Sequence, residues 1–497
     1  MKRQQPRSLE PRLMSSSTKG SAAAGDSPLR RGPGDRTRNH LRRGLAEFLR
    51  LPLAMTGAFI ALALLVSLLD ATAFGGPVRR FAEAVVPDGG AMNLLAAVAT
   101  SLMTVTSITF SVLLVAVQQS ASSLTAVVFD QFLRRRPNQF YFGFFIGLTA
   151  FSFIVLGMAR TKPAPVYGAT LTLALTIAGL VVLLLLIHST VDQMRPQAVV
   201  RSIHELALRA REQELVLLGR TRETRRTSED TPERIARAEA SGYVVAIDVE
   251  RLERIARAVG PDAEILVDAR LGEFLVFLDP LARIVGAAAD QEDWDDEVQA
   301  AFRLDEIRDV DTQSGYAIDQ LENIAWANGT SAIHSPFVAS IAIRALGDLA
   351  ARWLIAGERD RSSLASSLEQ LPVVYPDDVI QRIAAALANL VVGTAESHQS
   401  LTCAQLMQTF SSLAPRLRND SDRSAYTDAL DSCLPAVIQH AELPRLRVAL
   451  EHLRLAVTDT GLDPRRLEEV QRLLSEANRQ LLPKASNQTE AAHPGGT

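Results

Sequence analysis

The hydrophobic pattern divides the chain into two unlike parts. Four long apolar runs lie between Leu51 and Ile187, over about 51–74, 91–117, 140–158 and 166–187. Each is long enough to cross a bilayer as a helix. Beyond them, apolar residues recur at helix or strand spacing in a polar background. The pattern predicts a mainly α membrane protein: four transmembrane helices, a small αβ module and a helical cytosolic C-terminal region.

The second run organises the rest. Ala91–Arg136 contains no Pro or Gly, and its first charge is Asp130. One helix through it would be about 65 Å long. A bilayer core takes only about 30 Å. The second half, to about residue 133, is therefore expected to project beyond the membrane. Thr100, Thr104, Ser107, Ser111, Gln118, Ser122 and Thr125 form a polar seam with heptad-like spacing. Leu95, Met103, Phe110 and Val117 are expected opposite. Such a seam has two physical readings. It can line a wet path, where hydroxyls and an amide replace part of an ion's hydration shell. It can also be a dry packing surface, where hydroxyls bond back to their own helix.

The remaining segments follow in order. Residues 1–39 are rich in Ser, Gly, Pro and Arg and lack periodicity, so a disordered basic arm is expected. His40–Arg50 reads as a short basic amphipathic helix at the membrane surface. Together the spans and this helix make a membrane domain over 40–190. Gly75–Gly90 reads as a loop, with Asp70 just before it near the interface. Gly143 and Gly147, one turn apart, read as sites of close helix packing. A helix and linker are expected over 191–235 and a small αβ module over 236–286. In that module Gly242–Asp248, Ala263–Ala269 and Gly272–Phe277 read as strands and Val249–Val259 as a helix. An acidic loop follows over Ala287–Val298. Gly and Pro breaks divide 300–483 into six or seven helices, and 484–497 reads as a disordered tail.

Charge adds orientation. The first fifty residues hold twelve Lys or Arg against four Asp or Glu, although the whole chain has net charge −4. A basic arm beside a span faces the cytosol, so both termini are expected there, at the cell membrane. No aromatic residue interleaves the arginines before Phe48, which argues against nucleic acid. The two cysteines, Cys403 and Cys433, have no metal-ligand spacing and read as buried thiols.

Candidate chemistry is sparse. No P-loop, GxSxG, HExxH or dinucleotide fingerprint occurs, so no enzyme, metal or cofactor is expected. His188 and Asp192 share a helix face below the fourth span and could act as a proton sensor, or simply pair at the interface. His204 and Glu205 read as surface residues. Arg134, Arg135 and Arg136 either anchor the helix end on lipid phosphates or ring an inner mouth. Arg308, Asp309 and Asp311 precede a helix start, where a salt bridge is expected. His334–Ser335–Pro336 reads as a turn, with Ser335 capping a helix that opens on Pro336. No ionisable residue sits at mid-membrane, which argues against a coupled transporter.

Several residues also carry a resemblance. Phe110–Ser111, Gly143, Phe145, Gly147 and His188 mark the membrane part. Ser241–Gly242–Tyr243, Ala246, Asp248, Gly272 and Leu281 mark the module. Arg308, Tyr316, Leu321, Ile324, Ala325, Ala332, Ile333, Pro336, Phe337 and Ala339 follow. On these the chain resembles the predicted integral membrane proteins grouped as domain of unknown function 2254, over roughly Leu51–Arg359. It departs from their pattern at Leu124–Thr125–Ala126 (Ser-Pro-Arg), Thr312–Gln313 (Gln-Asp) and His334–Ser335–Pro336 (Asn-Asp-Pro). The resemblance implies an architecture and carries no activity with it. The sequence therefore leads to two functional expectations. One is a homo-oligomeric channel lined by Thr100, Thr104, Ser107, Ser111 and Gln118, with Phe110 or Leu114 at a constriction. Its partners would be lipid, further copies and small ions. The other is a membrane-anchored cytosolic module that binds a partner without conducting.

Overall fold

The computed structural model describes residues 33–72, 76–87, 90–123, 136–159, 165–193, 195–228, 230–286, 294–306, 308, 313–331, 335–367, 370–440, 442–463, 465, 468, 470–472 and 475. The described residues divide into two units, one ending at Glu47 and the other beginning at Phe48.

The membrane part contains α1 (Pro33–Ala71), α2 (Pro77–Val85), α3 (Ala91–Ser123), α4 (Arg136–Met158) and α5 (Val166–Gln193). Stretches of α1, α3, α4 and α5 are long and apolar enough to cross a membrane, at Leu49–Ala71, Ala91–Ser111, Arg136–Met158 and Val166–Asp192. Their outward apolar side chains, such as Leu64, Leu65, Ile177 and Leu184, are exposed, as lipid-facing residues must be. The helices pack through small residues, as expected. A Cβ on Gly143 would lie 2.9 Å from the Pro52 Cα, and one on Gly147 2.4 Å from the Phe59 ring. These contacts bring α4 close against α1.

Two expectations here are corrected. The basic helix at 40–50 is not separate, because α1 runs through Pro52. Proline withholds one N–H, and a carbonyl freed at the membrane edge can turn to water. The Gly75–Gly90 loop contains α2, a nine-residue helix opening on Pro77.

Asp70 is buried against the start of α5. Its carboxylate accepts the Tyr167 and Gly168 N–H groups, both at 2.9 Å. A helix start has N–H groups without intrahelical partners and a positive dipole end, so a carboxylate there is doubly favoured.

The C-terminal part begins with α6 (Pro196–Arg220). It packs into the largest core together with α9 (Ser314–Gly329), α10 (Pro336–Ser367), α11 (Val379–Glu396), α12 (Ser400–Leu413), α13 (Asp420–Ile438) and α14 (Pro444–Asp459). A 3₁₀ turn at Ala414–Arg416 separates α12 from α13. The six described helices after residue 313 match the expected number. Helix α10 passes through Gly357, which does not break it. Helix α11 is the fifth segment apolar enough to span a membrane, but 61% of it is buried in the protein. It is the central helix of a core.

The module is larger than expected. One sheet has the order β1-β5-β3-β7 and a second the order β4-β2-β6. The strands are β1 (Glu233–Arg237), β2 (Gly242–Ile247), β3 (Glu264–Val267), β4 (Phe274–Leu275), β5 (Pro280–Val285), β6 (Phe302–Asp305) and β7 (Val373–Val374). Helix α7 (Val249–Val259) buries Leu252, Ile255, Ala256 and Val259, and its Asp248 cap accepts the Arg251 N–H at 3.0 Å. Strand β7 comes from between α10 and α11 and pairs in parallel with β3. The end of the expected acidic loop is a short helix, α8 (Asp295–Gln299), where Asp295 pairs with Arg234 at 2.9 Å. Residues 287–293 of that loop lie outside the described residues.

Candidate functional site

Helix α3 places the polar seam on the side remote from its own bundle. At 100° per residue, Thr100, Thr104, Ser107, Ser111 and Gln118 fall within an arc of about 60°. All five are exposed. The buried side chains Ala91, Leu95, Ala99 and Leu102 lie roughly opposite and face α4 and α5. Met103, expected with the covered face, is 59% exposed. Of the two constriction candidates, Leu114 is exposed, whereas Phe110 lies 4.8 Å from the Phe142 ring of α4. Phe110 thus belongs to the covered side.

Three of the seam hydroxyls bond to their own helix. Thr100 donates to the Ala96 carbonyl at 2.9 Å, Thr104 to Thr100 at 3.0 Å and Ser111 to Ser107 at 2.9 Å. Each proton is taken up by the helix's own backbone. What the face presents outward is then oxygen lone pairs.

The other membrane candidates are dispersed. Arg136 opens α4 and is exposed, while Arg134 and Arg135 lie outside the described residues. His188 and Asp192 are both exposed on α5. The expected pair is not formed: the Asp192 carboxylate faces Arg195 instead, at 3.5 Å. The break before Pro196 brings Arg195 back over the helix end, which one helix face could not reveal.

The C-terminal part holds two polar clusters. In the first, Arg308 lies between the rings of Tyr243 and Tyr316, 5.4 and 4.4 Å from their centroids. It also pairs with Asp319 of α9. Gly272, at φ +78°, stands beside the guanidinium, where a Cβ would meet Arg308 Nη2 at 2.8 Å. Residues far apart in sequence that carry the resemblance, Tyr243, Gly272, Arg308 and Tyr316, therefore meet at one point. They clasp the module to the helical core. An open groove of about 630 Å³ lies there, with Glu306, Asp319 and Glu322 on its walls. Burial pushes the Glu322 carboxyl above its ordinary value against the opposing Asn389 hydrogen bond. Asp309, Asp311 and His334 lie outside the described residues.

In the second cluster, the buried Arg211 grips Asp377 and stacks over Trp353 at 5.7 Å. Glu214 accepts the Ser314 N–H at 2.8 Å and thereby caps α9. Burial raises its pKa although Ser314 and Arg211 oppose the shift. The cavity there, of about 20 Å³, has room for roughly one water. Both carboxylates are committed to helix starts, so the cluster is a junction with no room for substrate. His204 is half-buried and bonds the exposed Asp348 at 2.8 Å, and Glu205 is exposed. Cys403 and Cys433 are buried, and burial pushes the Cys403 thiol up to about 11, which makes it unreactive. Among the described residues no group of three or more His, Cys, Asp or Glu is placed to hold a metal ion.

No curated protein and no solved structure matches the chain. The family described as predicted membrane protein (DUF2254) matches residues 46–410. That match takes in the four spans, the module and the core through α11, and the chain belongs to this family of membrane proteins.

Proposed function

We propose that the protein is a homo-oligomeric channel whose α3 helices surround a shared axis. The observation that carries this reading is the uncovered seam at Thr100, Thr104, Ser107, Ser111 and Gln118. One protomer spends its own packing on the opposite face of α3, so only further copies can enclose a path. Hydroxyls that give their protons to the backbone present acceptors, which suit a small cation better than an anion. With both termini cytosolic at the cell membrane, the C-terminal part would lie at the inner mouth. The test is ion flux into liposomes containing the purified protein. A passive cation flux that falls when Thr104 is replaced by Val supports the channel. Vesicles that stay ion-tight at every pH and voltage applied defeat it.

A second reading, a membrane-anchored binding module, is favoured by one surface. Phe274, Val276, Phe277 and Leu278 are each more than half exposed on the module. The Asp279 carboxylate accepts the Val276 N–H at 2.7 Å, and Arg237 donates to the Leu278 carbonyl at 2.9 Å. A rigid apolar knuckle of this kind marks a contact surface. Under this reading, replacing Phe277 by Ser abolishes activity in cells while flux is absent throughout.

A further inference from the structure

Helix α2 was expected to be loop, and its surface is unlike that of a loop. At 100° per residue, Val78, Phe81 and Val85 share an arc of about 60°, and Ala82 lies beside it. Val78 and Phe81 are each 66% exposed and Val85 is 42% exposed. Ala82 and Val86 are buried. Arg79 and Glu83 pair at 2.7 Å on the other side of the helix.

The position of this stripe along the bundle is set by two contacts. The Thr170 hydroxyl donates to the Ala82 carbonyl at 3.3 Å. Val86 packs in the cluster of Ala91, Leu95 and Ala169. Thr170 lies four residues, about 6 Å, inside the start of α5. Helix α2 therefore sits at the level of the first turn of two spans. It also joins two helix ends, Ala71 and Ala91, that lie at the same end of the bundle. A helix of about 13 Å between two points at one level runs across the bundle end and not along it.

We propose that α2 is a membrane-surface helix. It lies in the boundary between headgroups and acyl chains, in the leaflet remote from the C-terminal part. Val78, Phe81 and Val85 enter the acyl region, and the exposed Arg80 faces the phosphates, while Arg79 is held by Glu83 toward the bundle. The occupant of the apolar stripe is lipid, because the helix is held at the depth where lipid begins and the stripe adjoins its buried edge. An amphipathic helix with an exposed arginine on its polar side is the form that such a boundary accepts. The proposal does not depend on conduction. It places a lipid contact six residues before α3, at the end of the seam where Thr100 lies.

The full chain serves for the test, because its two native cysteines are buried and only an added one accepts a label. Phe81→Cys and, separately, Glu83→Cys are labelled with an environment-sensitive nitrobenzoxadiazole and placed in phosphatidylcholine vesicles. Val78→Cys serves as a second position should Phe81→Cys fail to fold. The expected result is a blue-shifted emission at 81 and 78, quenched severalfold more by brominated acyl chains than emission at 83. Water-like emission at 78 and 81 overturns the proposal. Blue-shifted emission that brominated lipid leaves unquenched also overturns it, since a second copy would then cover the stripe.

Discussion

Helices α5 and α11 are both apolar, yet they meet different solvents. The most apolar eighteen residues of α5 have a mean hydropathy of 2.7 and only 17% of them are buried, whereas the eighteen of α11 have 1.2 and are 61% buried. High hydropathy says that a helix leaves water. It does not say whether lipid or protein takes the place of water. Neighbours decide that, and α11 has α9, α12 and α13 around it. The two regions nevertheless share one device. Each holds a helix start with a carboxylate about one hundred residues earlier: Asp70 for α5 and Glu214 for α9.

The largest expected effect tests that shared device. Replacing Asp70 by Ala strands two buried N–H groups and should cost about 2–4 kcal/mol. Replacing Glu214 by Ala should cost less, about 1–3 kcal/mol, because it strands one backbone N–H, that of Ser314, where Asp70 holds two. Denaturation of the detergent-solubilised variants compares the two. Equal losses would mean that the second N–H held by Asp70 adds nothing to the cap.

Next in size is Gly147→Leu in α4. Its side chain would collide with the Phe59 ring, which a Cβ alone already approaches to 2.4 Å. A loss of about 1–3 kcal/mol is expected, with α1 released to proteolysis first. An unchanged digestion pattern would show that lipid lets α1 move aside where a protein core would not.

The buried glutamates of the C-terminal part sharpen the comparison by pH. Burial raises the Glu264 carboxyl, but the N–H groups of Thr227 and Arg226, with Arg222, outweigh it and leave the pKa below its ordinary 4.5. A folded pKa below the unfolded one means stability that is full above pH 4.5 and lost as pH falls through the folded value. Glu214 is shifted upward, so its contribution is present below 4.5 and lost as pH rises through the folded value. Glu264→Gln should therefore flatten the acid limb of the stability curve, at a cost near neutrality of about 1–2 kcal/mol. Glu214→Gln should instead flatten the limb on which stability falls with rising pH. An acid limb that stays as steep in Glu264→Gln would assign it to other carboxylates.

The smallest effect is expected on α3. Thr104→Val removes an exposed hydroxyl bonded only to its own helix, so stability should change by less than about 0.5 kcal/mol. A larger loss, read from the same denaturation, would mean that the seam is a packing surface between copies.

Much of this was legible in the residues. Apolar run length is a local property, and it placed the four spans within a few residues. The glycines at 143 and 147 read correctly because a missing side chain has one main use between helices. The seam was legible as a face, although which side of α3 the bundle would cover was not. The clasp at Arg308 was not legible as a site. Tyr243, Gly272 and Tyr316 reach it only through the pairing of β2 with β4 and the docking of α9. Strand β7 was hidden for a similar reason, since two residues between helices show no period.

Sequence alone settled which segments leave water and how long each one is, because hydrophobicity and helical period act over neighbouring residues. Tertiary structure decided what replaces the water: lipid along α5, protein around α11, and the open side of α3 at Thr100–Gln118. That choice depends on contacts between residues a hundred positions apart, and no local pattern encodes them.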